Sequence, residues 1–462
     1  MRRFVLCWAI ATMTQISASP ALPEIAAENG LDSITSRVRE ATLENGLKVL
    51  VLPVTKAPVV TLQVWYRVGS RNERLGTTGL SHLLEHLMFK ETDKLKPEEF
   101  SKIIQANGGE LNAFTTSDYT TYFETLSSDR LGLALELEAD RMSHLKLREE
   151  TTEPEKRVVM EERRLRSVDN PWGALYEETN AAAFRAHPYM WPVIGWMHDI
   201  EATTLGDISA HYQTYYRPNN AIVVVAGDVD ADRTLEQVRK AFGGARAGEE
   251  APQVTSVEPL QLGERRVFVK KEANLPALLW AYKVPNVRNA DSYALEVLAT
   301  VLADGESSRL YRRLVVEKRL LLDINVDNPF LSLDSNLFTL AGQVLPEKKV
   351  EDVEAALERE IQELGTKAVT ARELSKAKNQ IEAQFVFAQD SNFYQAMLLA
   401  RFELIGDWRG LDAYLPGIRK VTAEDLQRVA REYLIPDRRT AGTLIPTGPA
   451  KHVAPPPSGM VH

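Results

Sequence analysis

The chain has 462 residues, enough for two or three domains, with 44% hydrophobic and 26% charged side chains, the balance of an ordered globular protein. Its 55 basic and 64 acidic groups give a net charge of −9, which leaves no surplus of cations for binding nucleic acid. A single cysteine, Cys7, excludes an intramolecular disulfide and a cysteine-rich metal site.

The first residues read as an export signal. Arg2 and Arg3 precede an apolar stretch at 4–13, and Ser17-Ala18-Ser19-Pro20-Ala21 supplies small residues for cleavage after Ala21. No later apolar run is long enough to span a bilayer, so an exported, periplasmic protein without a membrane span is expected. Strand patterns follow at 47–52 and 59–68, the second ended by Gly69-Ser70. Helices are expected at 79–89 and 97–107, then strands at 110–114 and 119–126. Long helical patterns cover 129–147 and 154–167, and 221–226 is a buried-strand run closed by Gly227-Asp228.

A break in composition at 243–259, rich in Gly, Ala, Glu and Pro, marks a linker. Beyond it the order of elements restarts, with strands at 266–270 and 278–284 and a helix at 291–302. Tyr282-Lys283-Val284 ends its strand as Tyr66-Arg67-Val68 ends the earlier one, which points to duplication of an α/β unit of about 200 residues. The expected organisation is a signal at 1–21, an N-terminal domain at 35–242, a linker at 243–262, a related domain at 263–446 and a disordered tail at 447–462.

His82-Leu83-Leu84-Glu85-His86 carries the clearest chemistry. His82, Glu85 and His86 share one helical stripe beside an apolar stripe of Leu80, Leu83, Leu84, Leu87 and Met88. Imidazoles at i and i+4 can meet at one tetrahedral zinc, and Glu85 then lies where a water bound there would need a general base. The plain alternative is a pair of core histidines and a surface Glu. A third ligand is offered by the helix beginning at Pro154, where Glu155, Val158, Val159, Glu162 and Leu165 fall on one stripe expected to face the core. Carboxylates set among valines cost too much to desolvate unless paired or metal-bound. Periodicity leaves Glu162 open between metal ligand and surface ion pair, and ranks Glu161, on a more charged face, below it. His144, His198 and His211 show no ligand spacing, and Arg163-Arg164 and Arg312-Arg313 read as solvated helix faces.

The frame from Gly79 to Lys90 resembles the inverted zinc motif of the pitrilysin-like metallopeptidases, the inverzincins. That family's third ligand follows about 75 residues later in a Glu-Arg-x-Val pattern. Glu155-Lys156-Arg157-Val158-Val159-Met160-Glu161-Glu162 is similar to it and implies Glu162 as ligand, with Glu155 supporting the site. Leu111-Asn112-Ala113-Phe114-Thr115 resembles the family's edge strand, implying that Asn112, Ala113 and Phe114 bind substrate backbone as an added strand. Gly305-Glu306-Ser307-Ser308-Arg309-Leu310-Tyr311 is similar to a segment of the second domain, implying Arg309 as a substrate clamp.

The resemblance implies an α+β fold of two related domains, each a mainly antiparallel sheet packed with helices. It also implies a zinc endopeptidase acting on peptides or small unfolded proteins inside a chamber of four such domains. Two departures stand out. Glu91 replaces a common Gly, and Leu322 occupies the place of a Tyr that active relatives pair with the Arg. An incomplete clamp points to a heterodimer with a related subunit carrying an Arg/Tyr pair, with a homodimer as the other arrangement. The rival readings are a non-catalytic or regulatory subunit of such a complex and a module that holds peptides without cutting them.

Overall fold

Ala221–Gly227 carries no polar side chain, and it forms a fully buried inner strand, β8, of a six-stranded sheet. The computed structural model describes residues 34–449, so the signal at 1–21 and residues 450–462 lie outside the described residues. The sheet's other strands are β1 (Arg39–Thr42), β2 (Lys48–Pro53), β3 (Val59–Tyr66), β5 (Glu110–Thr115) and β6 (Thr120–Ser127), in the order β1-β2-β8-β3-β6-β5. Short β4 (Glu91–Thr92) and β7 (Leu145–Lys146) pair separately. A second sheet contains β9 (Arg265–Lys271), β10 (Ala277–Val284), β11 (Asn325–Asp327), β12 (Asn336–Gln343) and β13 (Arg439–Pro446), in the order β11-β12-β10-β13-β9.

The duplication is visible in this topology. In chain order, the strands β2, β3, β5, β6, β8 occupy the same relative places as β9, β10, β11, β12, β13. In each set only the first and last strands are parallel, β2 with β8 and β9 with β13, and the remaining pairs are antiparallel. The fold is therefore two related α+β units with mainly antiparallel sheets.

Helices α1 (Leu80–Leu87), α2 (Glu99–Ala106), α3 (Leu131–His144) and α4 (Glu149–Arg163) follow the first strands. The next are α5 (Pro171–Ala183), α6 (Met197–Ala202), α7 (Leu205–Tyr215) and α8 (Ala231–Phe242). The second half adds α9 (Asp291–Ala303), α10 (Val350–Thr366), α11 (Ala371–Ala388), α12 (Asn392–Ile405), α13 (Tyr414–Lys420) and α14 (Ala423–Tyr433). Two helices cross between the halves. Leu175 of α5 packs with Val269, Ala277, Leu279 and Leu444 of the second sheet. Ala396, Leu399, Ala400 and Phe402 of α12 pack with Leu50, Leu52, Trp65, Ile222 and Val224 of the first. Each sheet thus borrows part of its cover from the other half.

Residues 243–264 form no helix or strand, yet they are tied down. The Glu258 carboxylate accepts the backbone N–H groups of Arg185, Ala186 and His187 and pairs with Lys283. Buried Gln261 donates to the Arg439 carbonyl at 2.7 Å.

Several expectations need correction. The helix read as 154–167 begins at Glu149, with Pro154 inside it, and continues past Arg163 as a π-helical turn, Arg164–Val168. Proline marked the start falsely: Pro154 is the sixth residue of the helix, past the first turn where proline's missing N–H costs no bond. The stripe on this helix does not face the core throughout. Val159 is buried, but Val158 is 50% and Leu165 61% exposed. Nor is Arg163 solvated: it is buried, bidentate with Glu177 and near the Trp196 ring. Arg313, also read as solvated, is only partly exposed and pairs with Glu360 and Glu363. Arginine's fork makes such semi-buried pairs favourable, which adjacent charges in a sequence do not reveal.

Candidate metal centre

His82, Glu85 and His86 lie on α1, and the chain's turn into that helix needs a glycine. Gly79 has φ of +90°, and a Cβ there would stand 2.5 Å from the Ile194 carbonyl oxygen. The Glu73 carboxylate accepts the N–H groups of Gly79 and Ser81, both at 2.7 Å, so it satisfies first-turn donors of α1. Burial pushes the Glu73 carboxyl up to about 8, against the pull of those two donors. Asp199 holds the preceding turn by accepting from the Gly76 and Thr78 N–H groups and the Thr78 hydroxyl. Ser81 Oγ lies 3.1 Å from Nε2 of buried His211. Burial alone lowers that imidazole to about 3, so it stays neutral. His211 is a satisfied core histidine.

α1 packs against α4 and β5, which brings three donors together. Nε2 of His82 and Nε2 of His86 lie 3.7 and 3.5 Å from Oε2 of Glu162. One ligand atom from each residue falls within 4.8 Å of the others, the one such group of three among the described residues. Oε2 of Glu162 is buried and has no hydrogen-bond partner, while Oε1 forms an ion pair with the Arg166 guanidinium at 2.7 Å. An acceptor-only oxygen left unsatisfied between two imidazole nitrogens fits a bound divalent cation, and two nitrogens with one carboxylate oxygen is a donor set that suits zinc.

A second ring of contacts orients these donors. His86 Nδ1 lies 2.9 Å from Oε1 of buried Glu155, which turns its Nε2 toward the centre. Lys90 Nζ lies 2.6 Å from Oε2 of the same carboxylate. Burial disfavours charge on His86, but Glu155 and Glu162 outweigh it and hold its pKa up to about 9. Burial likewise works against ionised Glu162, yet His86, His82 and Arg166 draw its carboxyl down to about 2. The group is therefore a carboxylate, ready to coordinate. Burial raises the Glu85 carboxyl, opposed by the Thr115 hydroxyl that donates to its Oε2 at 2.5 Å.

The remaining expected residues sit in two places. Asn112, Ala113 and Phe114 lie on β5, which ends its sheet, so its outer edge has no partner strand among the described residues. Asn112 Oδ1 accepts the Ala113 N–H at 2.9 Å, and Phe114 packs edge-on against Trp65. Arg309 is not brought to the histidines. It is buried, with Nε and Nη2 each 2.9 Å from the Glu373 carboxylate. Leu322 is half exposed. Sequence reasoning missed Glu73, Thr115, Lys90 and Arg166. The last two stand at i+4 from His86 and Glu162 and were legible by helical spacing. Glu73 arrives through a loop and Thr115 from the end of β5, and neither carried a local signal.

Comparison with known proteins adds independent findings. Residues 48–195 match the family model described as Insulinase (Peptidase family M16), and residues 202–381 match Peptidase M16 inactive domain. The chain is 37% identical over 433 residues, 93% of its length and 97% of the relative's, to a Helicobacter pylori protein named zinc protease PqqE. It belongs to peptidase family M16. Another member, named an uncharacterised zinc protease of Mycobacterium leprae, is 31% identical over 86% of this chain and 89% of its own. Among solved M16-like structures, a protease from Helicobacter pylori superposes with a TM-score of 0.86 at 37% identity, covering 88% of this chain and 99% of the other. No helix among the described residues is long and apolar enough to cross a membrane.

Proposed function

We propose that this M16 peptidase is an exported zinc endopeptidase that hydrolyses peptides or small unfolded proteins. The reading rests on one observation above the rest: a buried, hydrogen-bond-free carboxylate oxygen of Glu162 facing Nε2 of both His82 and His86. Those three residues hold the zinc, which when bound acidifies water and polarises a peptide carbonyl. Glu155 keeps His86 in the tautomer that offers Nε2 to the centre. Glu85 takes a proton from the attacking water and passes it to the leaving amine, so its carboxyl must cycle between two states. Its burial, tempered by Thr115, supports that role. The free edge of β5 receives substrate as an added antiparallel strand, with Asn112, Ala113 and Phe114 along it. The Asn112 side chain must then leave the Ala113 N–H, which an incoming carbonyl replaces.

The second half supports a partnered enzyme. Arg309 is held by Glu373, and Leu322 has no hydroxyl to offer. A related subunit carrying an Arg/Tyr pair completes the clamp across an interface, in a heterodimer rather than a homodimer. Export to the periplasm is proposed from the signal-like residues 1–21. Purified chain, incubated with an unstructured peptide with and without chelator and with and without such a partner, tests the reading. Chelator-sensitive internal cleavage that rises with the partner is expected. Peptide binding without cleavage under every condition contradicts it and favours the non-catalytic subunit.

A further inference from the structure

Away from the histidine pair, the second half contains a pocket of about 340 Å³ with a strongly unbalanced lining. Arg309, Arg312, Arg313, Lys367, Arg372 and Lys376 share its lining with two carboxylates, Glu363 and Glu373, while Glu360 also pairs with Arg313. In a chain whose net charge is −9, this concentration needs an explanation.

Both carboxylates are already committed. Glu373 is bidentate with Arg309 and also caps α11 through the Thr370 N–H, and Glu363 pairs with Arg313 and Lys367. Arg372 and Lys376 have no carboxylate within ion-pair distance among the described residues, and Lys376 donates instead to the Ser307 hydroxyl. Arg312 has Glu317, but that pair is more than half exposed at both ends and holds it weakly. The fold therefore gathers like charges from the segment around 307–313, the end of α10 and the start of α11 into one concavity. Their mutual repulsion is relieved by an anion, and the concave wall focuses the field on it. Guanidinium and ammonium donors beside a hydroxyl match an oxyanion with several acceptor oxygens.

We propose that this pocket binds a small polyvalent oxyanion through Arg312, Arg372 and Lys376. Phosphates and compact polycarboxylates share the required chemistry. The site is separate from the histidine-carboxylate centre and does not depend on the peptidase reading.

The test is calorimetric titration of the full mature chain at low ionic strength with pyrophosphate and, in a second arm, with citrate. Saturable binding of at least one anion, weakening with added salt, is expected. Heat with pyrophosphate alone assigns phosphates as the source, and heat with citrate alone assigns polycarboxylates. R372A/K376A replaces one exposed and one half-buried side chain and should weaken binding about tenfold or more, since it removes two charge-assisted contacts. R239A/K240A on α8 serves as a charge-matched control and should bind as the parent does. No saturable binding of either anion overturns the proposal. Equal loss in the control, or none in R372A/K376A, overturns it as well.

Discussion

Glu162 and Glu161 are adjacent and chemically alike, yet the fold gives them different work. Oε2 of Glu162 is buried between the histidines, whereas Glu161 is exposed and pairs with Arg164. Glu162→Gln should therefore strip most bound metal, measured by elemental analysis after gel filtration, while Glu161→Gln should retain it. Exchange of the two phenotypes would contradict the ligand set. Glu155→Gln keeps the shape beside His86 but weakens the hold on its Nδ1–H. Metal affinity should fall about 10- to 100-fold, read by competition with a chromogenic chelator, and unchanged affinity would remove Glu155 from the site. At this scale the sequence was informative wherever one helix carries the pattern. His82, Glu85 and His86 share a turn, and Glu155 and Glu162 lie seven residues apart on α4, two turns along one face. Thr115 reaches Glu85 from the end of β5 and Glu73 reaches α1 from a loop, and no periodicity announces a partner reached that way.

Among the elements, α1 depends most on its surroundings, because eight residues are too few to be stable alone. Glu73 fixes its start, and its carboxyl titrates near 8 in the fold against 4.5 ordinarily. The folded state therefore holds a proton that the unfolded chain has lost. The resulting stability is complete below about pH 4.5 and fades as pH rises to about 8. Unfolding in urea at pH 5.5 and 8 should show a larger loss of stability in the parent chain than in Glu73→Gln. Equal losses would mean that Glu73 does not carry a proton in the fold. Strands and most helices of the first half were legible because apolar runs and Gly stops coincide there. The start of α4 was not, since Pro154 is tolerated inside it. The exposure of Val158 and Leu165 was missed for a related reason: periodicity finds a face but does not say what covers it.

In the molecule as a whole, duplication was legible from element order, but the exchange of α5 and α12 between halves was not. An apolar helix face does not name the sheet it will meet. Leu399 lies on α12 and is fully buried against the first sheet. Leu399→Ala should cost about 2–5 kcal/mol and lower a single shared unfolding transition. Two separate transitions in calorimetry would show that the halves are not locked by this exchange. The locked pair of units presents the β5 edge and the histidine helix together, since α1 packs on β5, and it places the Arg309 pocket elsewhere. That layout is an enzyme only if Glu85 moves protons. The decisive measurement is peptide cleavage by Glu85→Gln loaded with one equivalent of zinc. The variant should keep its metal and lose about 100- to 10,000-fold in turnover, because the amide preserves shape without basicity. Cleavage near the parent rate, with metal fully retained, would contradict the account.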